Sequence, residues 1–291
     1  MIKRIGLFLA TNILVVLTIS FILNTVLPAF GIEIRGAWGL AVFCGFFGMG
    51  GAFISLSISR WMAKRAYGIV LIDRMAQDPG LRQIYEIVAT LSRRAGLPAV
   101  PEVGIYESGE VNAFATGPSK AKSLVAFSTG LLNSMNREEF EAVAAHEVSH
   151  IANGDMVTMT LLTGVVNALV MFLARLLASI LNSALSDDEG GGLGFFGYIM
   201  VVMLLETVFM LLASIPLAAF SRMREYRADG GAARLTSPVA MINALKRLGN
   251  IPGTPPLKDS MAIAKINSHR RVSLWSTHPS LEDRIRRLSG A

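Results

Sequence analysis

The chain has 291 residues with a formal net charge of +6, and only 16% of its residues are charged while 52% are hydrophobic. A water-soluble globule carries about 25% charged residues, so a wholly soluble protein is excluded. The single cysteine, Cys44, excludes an intramolecular disulfide and a cysteine-built metal cluster. The basic balance points to membrane topology rather than to nucleic acid, because the positive charges flank apolar runs. Any metal must be held by His and carboxylate groups.

In chain order, Lys3 and Arg4 precede a first apolar run, Ile5–Leu27, and a second, Ala37–Ile58, is followed by Arg60, Lys64 and Arg65. Each run exceeds the roughly 20 residues needed to cross a bilayer. The first is read as an uncleaved anchor, since a signal h-region spans only about 7–15 residues and no small-residue cleavage site follows Leu27. Pro79–Gly96 is predicted as an amphipathic helix, with Leu81, Ile84, Tyr85, Val88 and Leu91 at helical spacing. Short strands are predicted over Val103–Tyr106, Val111–Ala115 and Leu124–Ser128, with turns at Ser108-Gly109 and Gly117-Pro118. Asn136 with Glu139 forms a capping-box start for a helix running to about Ala152, stopped by Asn153-Gly154.

Met156–Leu181 and Phe195–Phe220 are two further candidate spans, interrupted by Arg175 and Glu206. Charges at membrane depth are costly and usually paired, and in an antiparallel hairpin these two fall in the same half. The acidic, Gly-rich 182–194 loop holds Asp187, Asp188 and Glu189 and no base, whereas Arg222, Arg224 and Arg227 follow the fourth run. The positive-inside rule then places both termini and the 59–155 and 221–291 segments in the cytoplasm. Pro252–Pro256 marks a loop, and Ser280–Leu288 a final helix.

The chemistry lies in His146-Glu147-Val148-Ser149-His150. His residues at i and i+4 share one helix face, so both imidazoles reach one cation, and zinc favours four ligands with His nitrogen among them. Glu147 is placed to take a proton from a water held at that cation. Glu225 is the strongest candidate for the third protein ligand, and Asp229, four residues on along the same helix face, would hydrogen-bond the far nitrogen of a ligating His. His150 lies six residues before the third apolar run and Glu225 five after the fourth, so paired spans would bring both motifs out on the same side of the membrane.

These motifs resemble the HtpX family of bacterial membrane zinc endopeptidases, more distantly related to the type I CAAX prenyl proteases. The resemblance covers essentially the whole chain, through Asn112–Gly117, His146–Asp155, Arg224–Asp229 and Thr277-His278-Pro279. It implies one Zn2+ per chain and a multi-pass protein of the bacterial inner membrane. The implied activity is cytoplasmic endopeptidase cleavage of misfolded or damaged membrane proteins, particularly under stress. It also gives weight to Asn112 as part of a strand edge that pairs with extended substrate, although the residues alone favour an ordinary turn-flanking Asn. His278, with Arg284, gains a role in stabilising a developing oxyanion, against a simple cap before the last helix. His269, among Arg270 and Arg271, is given no role.

The resulting expectation is a mostly α polytopic membrane protein with a small β-sheet and a zincin-like protease part. Its segments would be a two-span anchor (1–59), a cytoplasmic part carrying the His pair (60–155), a helical hairpin (156–220) and a cytoplasmic part completing the zinc site (221–291). Unfolded polypeptides and the lipid bilayer are the expected partners. A prenyl-protein protease is the rival within the same chemistry, though four spans are few to enclose a chamber. A scaffold or transporter with a vestigial metal site is disfavoured by Glu147, which metal binding alone does not require.

Overall fold

The computed structural model describes residue 18 and residues 21–31, 36–186, 192–249 and 274–290. Most of the first apolar run, the acidic 187–191 loop, Pro252–Pro256 and His269 lie outside the described residues. The protein is mostly α-helical with one small sheet, as its sequence predicts. It divides into two compact units, one of residues 1–52 and 162–214 and one of 53–161 and 215–291.

Three described helices are long and apolar enough to cross a membrane: α1 (Gly36–Tyr67), α5 (Asp155–Ala184) and α6 (Gly194–Leu235). Each outruns its apolar stretch, because helix propagation stops at a cap or a breaker and not where hydrophobicity ends. Pro216 does not end α6. The Arg224–Asp229 motif therefore sits on the continuation of the fourth apolar helix and not on a separate one.

In the first unit, α1 and α5 approach closely enough that a Cβ at Gly48 would stand 2.6 Å from the Ala168 backbone nitrogen. Without an internal hydrophobic drive, apolar helices in lipid pack through such small residues. The α5 face carrying Val165, Leu169, Leu173 and Leu177 is exposed, as lipid-facing residues are. Arg175 is buried, and its Nη1 donates to Glu206 Oε1 at 2.6 Å and to the Met171 carbonyl at 3.2 Å. The two charges foreseen as partners pair directly.

The second unit holds the sheet: β1 (Val70–Ile72), β2 (Glu102–Tyr106), β3 (Ala113–Ser119) and β4 (Lys122–Ser128), in the order β1-β2-β4-β3. The β2–β4 pair is parallel and the others antiparallel. The sequence missed β1, whose three residues are too few to show an alternation. Gly117-Pro118, expected as a turn, lies inside β3, where the register to β4 shifts. Gly117 has φ 143°, and a Cβ there would fall 2.3 Å from the Lys122 carbonyl oxygen. Only glycine fits that conformation and that gap, so the bulge bends β3 without ending it. The reversal comes at Lys120-Ala121.

Helix α2 (Pro79–Arg94) is started by Asp78, whose carboxylate accepts the Gly80 and Leu81 amides, and Pro79 stands at its first position. After the short α3 (Thr129–Ser134), α4 (Arg137–Asn153) has the capping box foreseen: Asn136 accepts from the Glu139 amide and Glu139 accepts from the Asn136 amide. Gly154, at φ 72°, closes α4 in the left-handed conformation. Two short helices follow later, α7 (Pro238–Gly249) and α8 (Leu281–Leu288), the second capped by Ser280.

Helix α4 is buried on nearly every side, which erases any amphipathic pattern. Ala142, Val143, Ala145, Val148 and Ile151 share one core with Val88, Leu91, Phe127, Leu131, Met241 and Leu245. Each large apolar side chain so buried stabilises the fold by about 1.5–3 kcal/mol. Where α4 meets α6, a Cβ at Gly231 would lie 2.4 Å from Ser149 Oγ. That approach brings the backbones carrying His146, His150 and Glu225 together, and any larger residue at 231 would force them apart.

Candidate metal centre

The site is built on rigid helices. The α4 turn from His146 to His150 faces the α6 turn from Glu225 to Asp229, while α8 and the residues before it close the cluster with His278 and Arg284. His146, Glu147, Glu225, Asp229 and Arg284 are buried. The ligand-type atoms of His146, His150 and Glu225 all lie within 4.8 Å of one another.

The donor atoms are arranged for a cation. His150 Nδ1 stands 2.7 Å from Asp155 Oδ2, and His146 Nδ1 is 3.0 Å from Asp229 Oδ1, the latter off the straight line of a hydrogen bond. With each Nδ1 turned to a carboxylate, a neutral ring would carry its proton there and leave Nε2 free for a cation. Those two Nε2 atoms face each other at 3.1 Å, with Glu225 oxygens 3.6 Å from the first and 3.4 Å from the second. Two imidazole nitrogens on one tetrahedral zinc at about 2.0–2.1 Å would be roughly 3.3 Å apart. Nitrogens this close share either a proton or a metal ion. The buried charges agree: among the described residues of this unit, Glu147, Asp155, Glu225 and Asp229 are buried with a single arginine, Arg284, and no lysine.

The imidazoles respond to that excess of carboxylate. Burial by itself would push the His146 pKa down, but Asp229 and Glu225 outweigh it and hold the ring above its usual value. Burial works the same way on His150, and Asp155 and Glu225 overcome it to lift the pKa to about 10. A divalent cation and a proton compete for the same lone pairs.

The structure sorts the remaining expectations. Asp229 lies beside His146 as foreseen, but it is shared: Arg284 donates to both its oxygens, from Nε at 2.8 Å and Nη2 at 2.6 Å. Arg284 is thus spent on a bidentate pair, and its Nη1 comes no closer to Glu225 than 3.8 Å. The oxyanion role considered for Arg284 is not supported. His278 Nδ1 stands 3.3 Å from Glu225 Oε2, with its side chain 37% exposed, so it borders the cluster and meets solvent. Asn112 lies one residue before β3, outside the strand assigned to it. Its carbonyl accepts the Ser128 amide at 2.9 Å and its own amide donates to Ser128 Oγ at 3.0 Å. Both backbone groups therefore point inward to β4, and not to the open edge.

Two residues at the site were given no part in it by the sequence. Asp155 touches His150 although it follows a helix stop; the signal was its place directly after the left-handed Gly154. Arg222 donates to the carbonyls of Leu274 at 3.3 Å and Ser276 at 2.6 Å, which holds the segment leading to His278. Nothing in the local sequence marks that pairing.

The model of peptidase family M48 matches residues 77–291. Curated relatives named Protease HtpX, from Shewanella sp. (strain W3-18-1) and Shewanella putrefaciens (strain CN-32 / ATCC BAA-453), are each 51% identical over 286 residues. Those matches cover 97% of this chain and 98% of each relative. The crystal structure of S. mikatae Ste24p superposes with a TM-score of 0.63 at 19% identity, covering 99% of this chain and 65% of that longer one, a likeness of fold. With its membrane-length helices, its His-Glu-x-x-His helix and near-complete alignment to the HtpX proteases, the chain belongs to the HtpX membrane metallopeptidases of peptidase family M48.

Proposed function

We propose that this metallopeptidase is a zinc-dependent endopeptidase of the bacterial inner membrane. Its substrates would be misfolded or damaged membrane proteins, cut at the cytoplasmic face. The observation that carries the zinc reading is the convergence of two imidazole Nε2 atoms and one carboxylate, with a further carboxylate beside each Nδ1. His146, His150 and Glu225 are the ligands in this reading. Bound there, zinc would polarise the scissile carbonyl and acidify a water.

The chain's own groups supply the rest. Glu147, buried on α4 between the two His, takes the water's proton and passes it to the leaving amine. Asp229 fixes the His146 ring, and Arg284 fixes Asp229. His278, reachable from solvent beside Glu225, donates to the oxyanion as it forms. Strand β3 lies at one edge of the described sheet, where an extended peptide can add by backbone pairing with little sequence selectivity. Because Asn112 turns inward, the alternation of an antiparallel ladder gives the outward groups to Ala113 and Ala115. Asn112 then anchors the end of that edge against Ser128.

Orientation is part of the proposal. Basic residues flank the apolar helices on the side from which the metal motifs continue, so the positive-inside rule puts the site and both termini in the cytoplasm.

Glu147→Ala tests the mechanism, through casein cleavage and bound zinc in detergent. The variant is expected to keep stoichiometric zinc and lose proteolysis. Near-normal cleavage would overturn the assignment. Orientation is tested with Cys44 replaced and single cysteines introduced at Asp188 or Thr254. An impermeant thiol reagent added to spheroplasts should label position 188 only, and labelling at 254 from outside would invert the topology.

A further inference from the structure

We infer that Asp155 is a positioning residue of the peptidase reaction: it orients His150 for the metal and ties that ligand to the first turn of α5. The inference rests on the reading of His150 as a ligand. Asp155 is 2% exposed, and its Oδ2 stands 2.7 Å from His150 Nδ1, the shortest contact made by any imidazole of the cluster. A carboxylate on Nδ1 holds the proton there, keeps the Nε2 lone pair free and stops the ring from rotating about its χ angles.

The chain geometry explains how a residue five positions on can do this. Had α4 continued as a regular helix, residue 155 would stand more than a full turn beyond His150. Gly154, at φ 72°, breaks the helix in the left-handed conformation, and α5 starts immediately afterwards at Asp155. The reversal brings the Asp155 carboxylate back to the ring. The Asp155 carbonyl is held in turn by Arg224 Nη1 at 3.2 Å, and Arg224 directly precedes Glu225. One residue thus joins the His150 side of the site, through its side chain, to the Glu225 side, through its backbone.

A carboxylate in the first turn of α5 would also favour the helix dipole, and that is the role the experiment must separate. Asp155→Ala and Asp155→Asn are made in the full-length Glu147→Ala protein, so that no cleavage interferes. Zinc affinity is read in detergent by competition with a chromophoric chelator, the visible spectrum is recorded with Co2+ in place of zinc, and thermal unfolding is followed by circular dichroism. Removing a carboxylate that orients a metal-bound His typically costs about 10–100-fold in affinity, and that loss with a shifted cobalt spectrum is expected for Asp155→Ala. Asp155→Asn keeps an acceptor facing Nδ1 and loses the charge, so its affinity should fall between the two. Affinities within about twofold of the parent in both variants, with only the unfolding midpoint lowered, would reduce Asp155 to a helix-start residue and overturn the inference. If Asp155→Ala does not fold, Asp155→Asn decides, an affinity within that same margin being the overturning result. A parent that binds no zinc overturns the metal reading instead.

Discussion

Both units bury charge, and they do so in opposite ways. In the unit of residues 1–52 and 162–214, Arg175 and Glu206 form one pair at 2.6 Å, a cation matched by an anion, with the Met171 carbonyl as a second acceptor for the same nitrogen. In the other unit, among the described residues, four carboxylates and one arginine are buried, and the ligand-type atoms of His146, His150 and Glu225 converge within 4.8 Å. A matched pair is electrostatically complete and has no use for a ligand. An unmatched cluster is costly unless a cation joins it, because the desolvation of each ion must be offset within the site. The first arrangement reads as structure and the second as a site, although both look like buried polar residues in an apolar helix.

The sharpest way to break that distinction is to remove one carboxylate from each. Glu225→Ala leaves two protein ligands, so bound metal should be lost at low free zinc and proteolysis should fall to background. Stoichiometric zinc retained by Glu225→Ala, measured after dialysis against a metal buffer, would mean that another carboxylate is the ligand. Glu206→Ala should leave metal content unchanged. It strands Arg175 without its partner and should cost about 3–5 kcal/mol of stability, read as a lower unfolding midpoint in detergent.

The second variant sharpens the comparison when the arginine goes as well. Arg175→Met with Glu206→Leu removes both charges, and replacing a buried pair by apolar residues of similar volume is often neutral or stabilising by about 1–4 kcal/mol. Stability should return to that of the parent. A double variant as unstable as Glu206→Ala would show that the pair does more than cancel itself.

A smaller effect is expected at Asp229, which stands beside His146 and outside the proposed ligand set. Asp229→Ala should lower metal affinity or activity by about 10–100-fold, short of the loss at Glu225. Equal losses in a chelator competition would place Asp229 among the ligands.

The smallest signal is the proton traffic that accompanies metal uptake. His150 in the metal-free protein has its pKa raised to about 10 from the usual 6.5. Its protonated form therefore stabilises the metal-free fold fully below about pH 6.5, and that contribution disappears as pH rises through about 10. Between those limits, zinc must displace the proton. Adding zinc to the metal-free protein near pH 7.5 in weak buffer should release protons, visible with a pH indicator dye. No release would mean that the imidazoles are already neutral and that the carboxylates do not dominate the ring.

Much of this was legible in the residues. Local rules fixed α4, because Asn136 and Glu139 cap each other within one turn and Gly154 can take a left-handed φ. The i,i+4 spacing placed His146 and His150 on one face, and composition set the membrane-length helices by burial of backbone in lipid. The pair Arg175–Glu206 was foreseeable because a hairpin of two spans brings equal depths together. Glu225 was also singled out as the third partner of the two His, and the fold sets its carboxylate beside both rings.

Other features needed the tertiary structure, since they depend on groups distant in sequence or on a single φ angle. β1 is too short for its alternation to stand out, and Gly117-Pro118 reads as a turn until the Lys122 carbonyl is seen to fill the space where a side chain would go. The pairing of Arg284 with Asp229 joins residues 55 positions apart, so nothing local could take Arg284 away from the oxyanion. The inward direction of the Asn112 backbone hydrogen bonds depends on Ser128 of β4, a partner 16 positions away. Asp155 came to His150 through one left-handed glycine. Sequence by itself determined which groups could hold a cation, because ligand chemistry and helical spacing are local. Only the folded chain decided which of them face each other and which are already satisfied, because a hydrogen bond is made by direction and distance, and long-range packing sets both.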